Sequence, residues 1–112
     1  MSRSASARIA DILEAIALCE SYRAHLADED AEVARMAFDA ILRNLAVIGE
    51  AVNSLPLELL SAHQNVDWSA VIGMRHFLVH QYFRVDNGIV IDVLDRDLAP
   101  VASALREIAD RL

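Results

Sequence analysis

Apolar residues at Ile9, Ile12, Leu13, Ile16 and Ala17 recur at the three- and four-residue spacing of one helical face, and Ser4 or Ser6 stands ahead of them as a cap for the first free amides. The spacing predicts a first helix running to about Leu26. "ADEDAE" then supplies a turn and places carboxylates in the first turn of a second helix beginning near Asp30, where the helix dipole favours them. That helix carries Val33, Met36, Ala37, Ala40, Ile41, Val47, Ile48, Ala51 and Val52, and Leu42 and Leu45 spread its apolar surface over more than one face. Such a helix belongs at the centre of a fold or at an interface. Pro56 ends it, because the residue before a proline avoids helical geometry, and "NSLPLELLSAHQNVDW" leaves room for one short helical turn and a loop. Asp67 caps a third long helix through "WSAVIGMRHFLVHQY", and "VDNG" breaks it. The tail "IVIDVLDRDLAPVASALREIADRL" predicts a helix interrupted or kinked near Pro100, with Asp97 capping a last segment whose first turn holds the proline. "IVI" has strand-like composition but no second strand to pair with. The expected architecture is all-α, a bundle-like single domain of four to five helices over residues 1–112.

Composition sharpens this picture in two respects. A chain of 112 residues supports one core, and a hydrophobic fraction of 55% is more than so small a domain buries, so some apolar surface is expected to meet a partner. A membrane span needs about 20 largely uncharged residues, and charges interrupt every candidate, as in "AILRNLAVIGEAV". The opening "MSRSASARIADILEA" lacks the apolar core and cleavage site of a secretory leader, so the expected location is the cytoplasm. Cys19 is the only cysteine, which excludes an internal disulfide and a cysteine-based zinc site, and its place in a helical pattern makes it a core residue.

Charge concentrates the chemistry. The net charge is −7, with 17 acidic residues against 10 basic ones, all arginine, so the overall field repels nucleic acid and any phosphate chemistry needs a local patch. Between Trp68 and Val85 there is no Asp or Glu, while Arg75, His76, His80 and Arg84 all fall inside that window. Arg75 and His80 are separated by about 140° around a regular helix and do not converge from one. Either the helix distorts or ends there, or the two groups meet through symmetry mates in a homodimer. His76 and His80 have the four-residue spacing of a two-histidine metal site, but the nearest carboxylates are Asp67 and Asp86, so no metal and no cofactor is expected. Histidine exchanges protons near neutral pH and arginine holds phosphoryl oxygens, the two roles that RNA cleavage through the ribose 2′-hydroxyl requires. From composition alone the other reading, satisfied polar residues at a helix end, stays open. Arg43 and Glu50 lie seven residues apart on one side of the second helix, as an interhelical ion pair, a partner contact or catalytic groups. Trp68 reads as a core anchor, and His25 and His63 as solvated surface residues.

"RHFLVH" resembles the R-x4-H motif of the HEPN superfamily of small helical nucleotide-binding and ribonuclease domains, and "RHFLVHQY" extends it to the R-x4-H-x-Y form of HepT-like toxins. "RNLAVIGEAV", "VDWSAVIGMRH" and "YFRVDNGIVIDVL" continue the resemblance over roughly Ile41 to Leu98. It implies a HEPN-type helical homodimer acting as a metal-independent endoribonuclease, the toxin of a type VII-like toxin–antitoxin pair whose partner is a minimal nucleotidyltransferase antitoxin. On that resemblance Arg75 and His80 are the catalytic pair in a cleft between subunits. His76 occupies the polar position after the arginine, commonly Asn or Asp in the superfamily, and Tyr82 is the acceptor of AMP that silences the toxin. Arg84 has no motif role and is assigned to the RNA-binding patch. A non-catalytic subunit that binds or regulates the nucleotidyltransferase is the alternative.

Overall fold

The computed structural model describes residues 3–112 and contains helices and turns only among them. Helix α1 (Ala5–Arg23) starts where the Ser4 hydroxyl accepts the Ala7 N–H at 3.1 Å, and a 3₁₀ turn at Ala24–Ala27 follows it. Helix α2 (Ala31–Asn53) is capped by Asp30, whose carboxylate accepts the Glu32 N–H at 2.9 Å. Helix α3 (Leu57–Leu60) is a single turn behind Pro56, and α4 (Trp68–His80) begins where Asp67 accepts the Ala70 N–H at 3.1 Å. Helix α5 (Asn87–Asp92) leads through a π turn at Val93–Asp97 into α6 (Leu98–Asp110).

The all-α expectation therefore holds, with four long helical stretches and one short turn. Asp97 does not act as the cap expected of it: it has helical φ and ψ of −97° and −32°, and its side chain caps nothing. Asp86 performs that role, accepting the Ile89 N–H at 3.0 Å, so "IVI" is helical and the last helix runs on without a new start. Pro100 has no N–H for the Arg96 carbonyl and its ring crowds that oxygen; the wider π turn immediately before it loosens the ladder where the proline needs room.

Helix α2 is central and packs on both α1 and α4. Ile9, Ile12, Ile41, Leu45, Ile48, Leu98 and Leu105 are fully buried, each side chain stabilising the fold by about 1.5–3 kcal/mol relative to exposure. Cys19 lies among them, and burial, with Glu20 nearby, pushes its thiol up to about 12, so it is neutral and inert in the core. The Trp68 indole donates to the carbonyls of Leu60 (3.0 Å) and His63 (3.1 Å), anchoring the α3 loop to the start of α4. This corrects the reading of His63 as a solvated residue. Its side chain is only 18% exposed, with Nδ1 3.7 Å from the Glu107 carboxylate on α6, because the loop is folded back beneath the indole. His25 is exposed as expected, 3.8 Å from Asp28. Arg23 at the end of α1 grips Asp95 with two hydrogen bonds of 2.7 Å, which hold the Asp95 carboxyl below the usual carboxylate range. No helix is long and apolar enough to cross a membrane among the described residues.

Candidate active site

Helix α4 carries the polar residues singled out above, and it is poorly covered. Of its 13 residues only Val71 is buried. Its main neighbour is α2, and the contact is unusually close at Gly49, where an added Cβ would lie 2.9 Å from the Val71 carbonyl oxygen and 3.3 Å from the backbone N and the Cβ of Arg75. The two backbones approach because position 49 has no side chain. That approach brings Arg75 over the next residue of α2.

Glu50 takes advantage of it. The Arg75 Nε lies 3.0 Å from the Glu50 Oε2. The window from Trp68 to Val85 is free of carboxylates in sequence but not in space, since α2 delivers one to its central arginine. Glu50 is thus in an interhelical ion pair, one of the roles left open for it, and its partner is Arg75. Arg43 lies on the same side of α2, and both line an open cleft of about 420 Å³ with Arg75.

His80 is the last residue of α4, and Gln81 closes the helix with φ and ψ of −127° and 24°. It does not line the cleft that holds Arg75. The helix is regular from one to the other, so within one chain the pair stays about 140° apart, as the spacing requires. The His76 ring packs on that of His80 with centroids 4.4 Å apart and planes inclined by 44°, which restricts how the His80 imidazole turns. Both rings stand at the surface, and no group of metal ligands surrounds them or any other site among the described residues.

Tyr82 and Arg84 fall in the 3₁₀ turn Tyr82–Arg84 that follows the helix. Tyr82 is 66% exposed and its ring meets that of Phe83 edge-on at 6.2 Å, and the Arg84 guanidinium lies 5.6 Å from the Phe83 ring centre. Phe77, Val79, Tyr82, Phe83 and Ile89 are all exposed in this short stretch.

The sequence reasoning missed three parts of this region. Gly49 signals itself only as a lone glycine in an apolar helix, which is a packing cue. Asn44 is the only buried polar residue among those described, and its Nδ2 donates to the Ala40 carbonyl at 2.8 Å, so the helix satisfies it locally. Arg3 and Arg8, from a part of the chain with no motif, line the same cleft as Arg75.

Fold and site together define a small helical domain that presents an arginine and a histidine pair on one helix together with exposed apolar side chains. The family described as Ribonuclease HepT-like matches residues 12–108, and the chain belongs to that family. It is 32% identical over 98 residues to "Probable ribonuclease HepT" of Thermococcus cleftensis, covering 88% of this chain and 89% of the relative. It is 31% identical over 101 residues, 90% of this chain, to a Methanocaldococcus jannaschii protein whose name reads "Gamma-glutamylcyclotransferase and putative RNase", of which the match spans 46%. A "Putative RNase" of Caldanaerobacter subterraneus shares 35% identity over 72 residues, 64% of each chain. The chain thus spans about half of one of these relatives and just under two thirds of another. No solved structure matches the chain at comparable significance.

Proposed function

We propose that the protein is a metal-independent endoribonuclease, the toxin of a type VII-like pair, whose active site forms between two copies of the chain. The observation that carries this reading is the placement of Arg75 and His80 on α4, a helix of which only Val71 is buried and which exposes Phe77 and Val79. Two such helices laid together bury that surface and bring the arginine of one copy toward the histidine of the other. The family membership and the names of the relatives support the activity.

In the reaction the ribose 2′-oxygen attacks the adjacent phosphorus, the O2′–P bond forms and the P–O5′ bond breaks, leaving a 2′,3′-cyclic phosphate. The 2′-hydroxyl gives up a proton and the departing 5′-oxygen gains one, so His80 acts as general base or acid within a step that needs no metal. Arg75 donates two hydrogen bonds to the phosphoryl oxygens and opposes the charge that builds on them. His76 holds the His80 ring. Tyr82, exposed beside this helix end, is the acceptor in the antitoxin's reaction: its phenol oxygen attacks the α-phosphorus of ATP and pyrophosphate leaves, so the attached AMP adds bulk and negative charge where an RNA phosphate must come.

The Arg75–Glu50 pair favours a second reading, in which the arginine is already neutralised and the chain is only a binding subunit for the nucleotidyltransferase. Cleavage of RNA in EDTA decides between them. The wild-type protein is expected to cut it and Arg75→Ala and His80→Ala to lose at least about 100-fold in rate while keeping their helicity; cleavage at an unchanged rate in both variants removes the assignment.

A further inference from the structure

The cleft beside Arg75 is built from three helices. Helix α2 supplies Arg43, Ala46, Val47, Glu50, Ala51 and Ser54, the three- and four-residue spacing of one face, so small side chains floor the cleft between charged ones. Helix α1 and the residues before it add Arg3, Arg8 and Asp11, and α4 adds Arg75. Four guanidiniums and two carboxylates therefore share one cavity, a local balance of +2 in a chain whose net charge is −7.

The pairing inside the cleft shows where that excess resides. Arg3 is bound to Asp11, with contacts of 3.0 and 2.9 Å, and Arg75 to Glu50 at 3.0 Å. Arg8 donates its Nε to the Arg3 carbonyl at 3.2 Å, a neutral acceptor, and meets no carboxylate among the described residues. Arg43 makes no ion pair and no side-chain hydrogen bond among them; it stands about two turns along α2 from Glu50, roughly 10 Å away by the helical rise. A cation that faces an open cleft without a counter-charge keeps its donors free for a ligand, and guanidinium forks match phosphate oxygens.

We infer that Arg8 and Arg43 form a phosphate-binding track for single-stranded RNA, holding backbone phosphates next to the one that Arg75 engages. The inference rests on the ribonuclease reading above and adds to it a substrate-binding surface outside the motif. The cleft volume of about 420 Å³ lies within the range of ligand pockets, and its open form suits a strand that passes through. The track reads the backbone and not the bases, because Asp11 and Glu50 are engaged by Arg3 and Arg75 and the guanidiniums left without a counter-charge are those that match phosphate oxygens. It also explains how a chain with a repelling overall field holds RNA: the attraction is confined to the cleft that contains the catalytic arginine.

The test measures binding and not cleavage. A fluorescent single-stranded oligoribonucleotide carrying 2′-O-methyl groups cannot be cut through the 2′-oxygen, and its affinity for the whole protein is followed by anisotropy over a range of salt. Arg8→Gln and Arg43→Gln are expected to weaken binding about three- to tenfold each and to flatten the salt dependence of log Kd by about 0.7 per removed phosphate contact. Arg106→Gln, an exposed arginine on α6, is the control and is expected to change neither. Unchanged affinity and slope in both cleft variants overturn the track, including the case in which those variants instead lose an acidic protein partner. The cleavage assay with Arg75→Ala and His80→Ala is separate, so a ribonuclease with an intact active site and no track is told apart from a chain that cleaves nothing.

Discussion

Arg75 sits in a balance that is local to one residue pair. Its guanidinium is held 3.0 Å from Glu50, and both side chains are more than half exposed, so the pair contributes little to folding. Its value lies in direction: a long flexible side chain on an exposed helix samples many rotamers, and a carboxylate on the neighbouring helix selects one. Glu50→Gln is therefore expected to lower RNA cleavage by about ten- to 100-fold, since a small misplacement of a phosphate-binding group is costly, while thermal unfolding moves by less than the equivalent of about 0.5 kcal/mol. Equal losses of stability and activity would show a structural role instead. This pairing was not legible beforehand. Arg43 and Glu50 were visible as a seven-residue repeat on one helix face, but which residue of another helix would meet Glu50 depends on how α2 and α4 cross, and local periodicity carries no information about that.

The crossing itself is set at the scale of the element by Gly49. A methyl group there would press 2.9 Å from a main-chain oxygen of α4, which cannot swing aside as a side chain tip does. Gly49→Ala is expected to destabilise the fold by about 1–3 kcal/mol, the usual cost of overpacking, even though alanine is the better helix former. It should also lower cleavage beyond that loss of folded protein, because α4 carries Arg75 away from Glu50 as it moves; chemical denaturation and the RNA assay on the same sample check both. The elements were largely readable from the sequence. Ser4, one of the two serines offered, caps the first helix and Asp67 the one assigned to it, the second helix begins beside Asp30 as expected, and Pro56 follows its end. The last helix was harder, because Asp97 and Pro100 are spaced as a helix start while Asp86, eleven residues earlier, also has the amide it needs in Ile89. A π turn relieves the proline without a break, and such a turn has no sequence signature of its own.

For the whole molecule the decisive fact is which surfaces the single chain leaves uncovered. The core formed by α1, α2 and α6 is closed, whereas α4 and the turn after it expose Phe77, Val79, Tyr82 and Phe83, the last of them at 68%. The high hydrophobic fraction pointed to such a surface, and the proposed function gives it a use, because Arg75 and His80 stand about 140° apart on one regular helix. Both arguments support the arrangement proposed above, a two-fold assembly with α4 at its centre, in which Arg75 of one copy would serve His80 of the other and the arginine-lined cleft would lead the RNA in.

The most direct test of that arrangement mixes two inactive proteins. Arg75→Ala and His80→Ala are purified separately, exchanged into mixed dimers and assayed on RNA in EDTA. If the site takes its arginine and histidine from different copies, each mixed dimer rebuilds one intact site, and the exchanged mixture recovers about a quarter of the wild-type rate. If both residues act within one chain, no copy in the mixture has a complete pair. Dimers that exchange fully and recover no activity would contradict the composite site.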